Sequence, residues 1–213
     1  MSVIKHSDQR VAIFIDTQNL YHSAKNLYNT KVNFGAIMET VTGKRKLIRA
    51  LAYVITTEAG DETQFFEALT KLGIETKTKD LQIFYGGAKK ADWDVGLAVD
   101  AIRLAPKVDT IVLATGDGDF VPLVNFLKEH FGVQVEVISF GRSSSTKLRE
   151  ACEDFIDMCD QPEKYLMGYR VRRGASPASP KKAKVHTPIK KTVRKELRDE
   201  DLGIFSGDAP VAA

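Results

Sequence analysis

Asp16 closes the apolar run VAIFID (11–16), Asp117 and Asp119 follow TIVLAT (110–115) inside ATGDGDF (114–120), and Asp94 opens the amphipathic stretch after KKADW (89–93). Carboxylates crowded at one place repel one another and hold protons unless a cation neutralises them. An all-oxygen set with no cysteine or histidine beside it suits a hard divalent ion, Mg²⁺ or Mn²⁺, and disfavours zinc. Such an ion makes bound water acidic enough to attack a phosphodiester and neutralises the charge that develops on the phosphoryl oxygens. Asp16, Asp94, Asp117 and Asp119 are therefore the candidate metal ligands and the candidate catalytic residues.

Their neighbours fit the same chemistry. Gly116 and Gly118 flank Asp117, which leaves a turn bare of side chains where a metal or phosphate can approach closely. Asn19, in the first turn after Asp16, is placed to orient that carboxylate or to meet the scissile phosphate. Asp100 lies six residues beyond Asp94, about 120° around a helix from it, which suits a supporting group better than a ligand. Lys90 beside Lys89, and Arg142 with Lys147 after the fifth strand, could grip flanking phosphates. Ser143, Ser144, Ser145 and Thr146 form a polar loop in which one hydroxyl is expected to cap the last helix, with phosphate contact a secondary role. Trp93 and Tyr21 could stack unpaired bases, although Tyr21 suits a core-facing helix position equally. A lone aspartate at a strand end is more often a helix cap or turn residue. That reading fits Asp61 and Asp80, and competes for Asp119.

The elements that must position these residues alternate in period. Strands are expected at VAIFID (11–16), within KLIRALAYVIT (46–56), and at LQIFY (81–85), TIVLAT (110–115) and VQVEVISF (133–140). Helices are expected over 20–28, 34–41, 61–72, 95–105, 120–131 and 146–159, several of them ended by Gly or Pro. Five strands with helical crossovers predict an α/β fold, a three-layer α/β/α sandwich around a mainly parallel five-stranded sheet. In such sheets ligands lie beyond the carboxyl ends of the strands, where the acidic residues stand.

The chain holds two cysteines, Cys152 and Cys159. On one continuous helix they would stand about 10 Å apart, beyond disulfide reach, and both read as buried small hydrophobes. His6, His22, His130 and His186 show no ligand spacing. No apolar run is long enough for a membrane span and no apolar leader opens the chain, so the expected location is the cytoplasm. Residues 1–168 read as the folded domain and 169–213 as a Pro/Ser/Lys-rich tail, expected to be disordered apart from a marginal helix near 193–202. The tail holds 11 Lys/Arg and 5 Asp/Glu, so the chain's net charge of +3 covers a domain that is itself acidic. A basic tail suits a polyanionic partner. The same composition also suits a solvated linker.

The segments FIDTQNLY (14–21), KADWDVGLAVDAI (90–102) and ATGDGDFVPLV (114–124), in this order, resemble the three motifs of the NYN domain family, in its LabA-like (DUF88) branch related to PIN and FEN nucleases. The segment FGRSSSTKLREACEDFIDM (140–158) also resembles that branch, and the likeness covers roughly residues 9–160. It aligns Asp16, Asp94, Asp117 and Asp119 with the acidic positions inferred to bind metal, and Asn19 and Asp100 with further motif positions. Asp92 and Trp93 depart from the Lys-Gly-Val-Asp version of the second motif, and Asp92 adds a carboxylate that is either a ligand or a cap. The resemblance implies metal-dependent ribonuclease activity, and the expected function is an Mg²⁺- or Mn²⁺-dependent endoribonuclease acting on single-stranded RNA. The alternative is a non-catalytic RNA-binding or regulatory module of the same fold. A phosphatase of the haloacid dehalogenase kind would need a second Asp where Gln18 stands. The sequence does not set the oligomeric state, and a dimer is compatible with it.

Overall fold

The computed structural model of the chain describes residue 3 and residues 5–56, 63–80, 82–83, 89–90 and 93–169, with backbone alone at 82–83 and 89–90. Asp61, Asp92 and residues 170–213 of the expected tail lie outside the described residues. The elements in chain order are β1 (Arg10–Asp16), α1 (Thr17–Tyr28), α2 (Phe34–Thr42), β2 (Lys46–Thr56), α3 (Thr63–Lys71), β3 (Glu75–Asp80), β4 (Gln82–Ile83), β5 (Lys89–Lys90) and α4 (Asp94–Leu104). They continue with β6 (Thr110–Ala114), α5 (Val121–Phe126), β7 (Gln134–Ser139), α6 (Thr146–Ala151), β8 (Asp154–Asp157) and α7 (Pro162–Tyr165).

Six strands form one sheet in the order β3-β2-β1-β6-β7-β8, every pairing parallel, and β4 with β5 makes a separate antiparallel hairpin. The period of two along β1 divides it between two cores. Val11, Ile13 and Ile15 pack with Leu20, Ala24, Ile37 and Val41 of α1 and α2. Ala12 and Phe14 pack with Leu97, Ala101 and Leu104 of α4 and Leu123 and Val124 of α5. A strand buried on both faces reads as a continuous apolar run, as VAIFID does, and these two cores make the expected three layers.

The sheet corrects the expectation in three places. It has six strands, not five. Its third strand is Glu75–Asp80, whereas the expected 81–85 supplies only Gln82–Ile83 of the small hairpin. β3 lies at the sheet edge, where ETKTKD needs no apolar run. The expected helix 146–159 stops at Ala151, and Asp154–Asp157 continues as the other edge strand, paired to β7. Cys152 turns extended there, and Glu153 donates its N–H to Val135 O and accepts the Val135 N–H on Oε2 at 2.7 Å. The two cysteines therefore do not share a helix, and both are half-buried free thiols rather than core residues. Asp80 ends β3, accepting from Thr56 Oγ1 at 2.8 Å, instead of capping a helix.

The chain leaves β1 toward β2 on one side and β6 toward β7 on the other. Connections that part in this way open a crevice above the carboxyl ends of the two central strands. Asp16 and ATGDGDF both stand at that crevice.

Candidate functional site

Asp16 ends β1 and caps α1: its Oδ1 accepts the Asn19 N–H at 3.1 Å. Its Oδ2 accepts from the Thr115 hydroxyl, at the end of the neighbouring strand, at 3.1 Å. Burial pushes the Asp16 carboxyl up from its ordinary range; the Asn19 and Thr115 hydrogen bonds work against this, and the negative charge of Asp117 adds to it. Asn19 Oδ1 accepts the Gly116 N–H at 2.8 Å, which staples the first turn of α1 to the loop after β6.

That loop is tightly built. Asp117 caps the 3₁₀ turn over Gly118–Phe120, accepting the Asp119 N–H at 3.0 Å, so Asp117 and not Asp119 is the capping residue. Asp119 keeps an exposed carboxylate in that turn. A side chain at Gly116 would lie 2.7 Å from Ser144 Oγ and 2.9 Å from Ser139 Oγ, so the serine loop closes over this position only because it is glycine. Ser145 donates its N–H to Gly116 O. Ser145 stands at the N-cap of α6 without a hydroxyl cap, contrary to the expectation for this loop. Ser143 Oγ lies 2.9 Å from Ser23 Oγ and 3.1 Å from Phe140 O, and Ser144 Oγ donates to Phe140 O at 2.9 Å. The serines bind the loop to α1 and to itself.

Asp94 begins α4, and its carboxylate meets those of Asp117 and Asp119, with one oxygen of each within 4.8 Å of the others. Asp16 lies outside this triad, beside Asp117. Among the described residues no Lys or Arg forms an ion pair with Asp16, Asp117 or Asp119. Three carboxylates gathered this closely, with a fourth beside them, fit a hard dication as donor set and as charge.

Asp100 faces away from the triad's role. It is 8% exposed, accepts from Tyr53 Oη at 2.8 Å, and takes the Lys77 ammonium at 2.5 Å. Burial pushes its carboxyl up, but the hydrogen bonds from Lys77 and Tyr53 outweigh this and hold it below the usual range. Tyr53 and Lys77 sit opposite each other in the β2–β3 register, so the pair receives Asp100 from α4 as one unit. Trp93 is not presented for stacking a base. Its ring packs edge-on against Tyr53 with centroids 5.5 Å apart, its Nε1 donates to Val54 O at 3.0 Å, and Lys79 lies over it. Tyr21, by contrast, is 50% exposed. Arg142 is exposed beside the Tyr28 hydroxyl. The backbone of Lys90 lies in the β4–β5 hairpin, and its side chain lies outside the described residues. Thr115 was missed, though it stands within ATGDGDF. Tyr53 and Lys77 carry no local signal, because only strand register brings them to Asp100.

The profile of the NYN domain family matches residues 10–159. The chain is 26% identical over 162 residues to the low amplitude and bright protein LabA of Synechococcus elongatus, covering 71% of this chain and 84% of that one. It is 27% identical to an uncharacterised protein of Methanocaldococcus jannaschii, covering 74% of this chain and 58% of that protein. Among solved structures, a protein of unknown function from Vibrio parahaemolyticus superposes with a TM-score of 0.70 at 29% identity, over 78% of this chain and all of the other.

Proposed function

The chain belongs to the NYN domain family, and from that premise we propose that it is a metal-dependent endoribonuclease that cuts single-stranded RNA in the cytoplasm. The observation behind this reading is the meeting of Asp94, Asp117 and Asp119 within 4.8 Å at the parting of the sheet. These three, with Asp16 beside Asp117, would hold Mg²⁺ or Mn²⁺, which supplies an acidified water and positive charge for the phosphoryl oxygens. The chain's own residues set the frame. Asn19 fixes the turn that presents Asp117, Asp16 adds negative charge beneath it, and Asp100 ties α4 to the sheet so that Asp94 is held in place. Lys90, Arg142 and Ser143 are proposed phosphate contacts, and the basic residues 169–213 a further hold on the strand.

The test is cleavage of unstructured RNA by purified protein. Added Mn²⁺ should start it, EDTA should stop it, and Asp117→Asn should lower the rate at least ~100-fold, on the order of the loss when charge stabilisation at the reacting phosphate is removed. Cleavage indifferent to EDTA and to Asp117→Asn would assign the activity to a contaminant. Both oxygens of Asp16 already accept hydrogen bonds, which favours a second reading, an RNA-binding module without hydrolysis. Metal-independent, salt-dependent RNA binding that survives Asp16→Ala without any cleavage would establish it.

A further inference from the structure

From Asp16 to Glu39 the chain carries no acidic side chain: residues 17–38 hold Lys25 and Lys31 and no carboxylate. This stretch also walls a groove of about 330 Å³, lined by Tyr21, Lys25, Asn29, Thr30, Lys31 and Met167. Tyr21 is 50% exposed and Met167 58% exposed, an unusual pair to leave in water. The rim is preformed. Thr30 donates its hydroxyl to Met167 O at 2.7 Å, Met167 donates its N–H to Lys31 O at 2.8 Å, and Asn29 closes α1 with a left-handed turn. Among the described residues neither lysine has a carboxylate partner.

We infer that this groove is a subsite for an unpaired nucleotide of a bound single strand, the base lying on Tyr21 and Met167 and its phosphates meeting Lys25 and Lys31. An aromatic face beside cations is the arrangement by which single strands are held without sequence preference. The groove starts one helical turn along the helix that Asp16 caps, so a strand lying over the carboxylates reaches it along α1. The inference rests on the proposed nuclease reading for its strand.

The test measures binding of a fluorescein-labelled short oligouridylate in EDTA, so that hydrolysis plays no part. Tyr21→Ala should weaken binding about 5- to 100-fold while Tyr21→Phe stays near wild type, since stacking needs the ring and not the hydroxyl. Lys25→Glu with Lys31→Glu should weaken it and flatten its salt dependence. An oligomer of abasic sites should bind the wild type as weakly as the oligouridylate binds Tyr21→Ala. Tyr21 is half exposed, so these variants should melt with the wild type. If all of them bind as wild type while metal-dependent cleavage persists, the subsite is wrong and the nuclease reading stands. Loss of binding in Tyr21→Ala without any cleavage by the wild type upholds the subsite and removes the nuclease. A wild type that neither binds nor cleaves overturns both.

Discussion

Asp16 is a half-buried carboxyl with a negative neighbour, and its hydrogen bonds from Asn19 and Thr115 do not fully offset that position. The folded protein therefore retains a proton that the unfolded chain releases at lower pH. Stability falls as pH rises from the unfolded value through the raised folded value, and stays lowered at neutral pH. Asp16→Asn keeps a capping oxygen for Asn19 and removes the charge. Near neutral pH and without metal it should melt about 2–4 °C higher for each kcal/mol recovered in a chain of this size. In acid, below the carboxylate range, the two proteins should melt together. A difference of equal size at both pH values, read by circular dichroism, would show that the charge is not its cause. In the wild type, Mn²⁺ should raise the melting point most where Asp16 is ionised, because a cation that binds only the folded state stabilises it by mass action.

At the scale of elements, the entry into α4 decides where Asp94 stands. Trp93 bolts this end to β2 through Tyr53 and Val54, and a side chain on Gly96 would come within 2.6 Å of the Trp93 ring. Gly96→Ala should therefore displace the bolt and cost about 10–100-fold in Mn²⁺ affinity, the effect typical of groups that support a ligand, measured by titration calorimetry. Trp93→Phe keeps the packing and loses one hydrogen bond, about 1 kcal/mol, so it should affect the melting point more than the affinity. Unchanged affinity in folded Gly96→Ala would remove α4 from the site's support. The buried strands and the helices over them were legible because their apolar periods are strong. The edge strands were not: ETKTKD is polar, and DFID sits beside a helical pattern that runs on through 146–151. For the same reason the ATGDGDF turn could be read from its glycines, whereas the Tyr53–Lys77–Asp100 cluster, joined by residues 23 positions apart and more, could not.

For the whole molecule, charge is divided along the chain: residues 169–213 hold 11 Lys/Arg against 5 Asp/Glu, and the rest is mildly acidic. Tyr169 packs edge-on against Tyr28, so the fold's edge lies after it, and removal of residues 170–213 should leave the melting transition in place. It should also weaken RNA binding and make its logarithm less steep in salt, by about 0.7 for each phosphate of a single strand that the tail had neutralised. A melting point that drops with the tail would instead make those residues part of the fold. No helix among the described residues is long and apolar enough to cross a membrane.

The joining of β1 to β6 sets Thr115 against Asp16 across 99 residues of chain. A protein still being synthesised has Asp16 well before it has Asp117, and the strand that completes the cluster enters the sheet only after the first half has been made. With hydrolysis carried by these carboxylates, the emerging polypeptide is harmless to the message that encodes it. The carboxylate cluster is complete only once Asp119 has been made, and a chain released before that point lacks it.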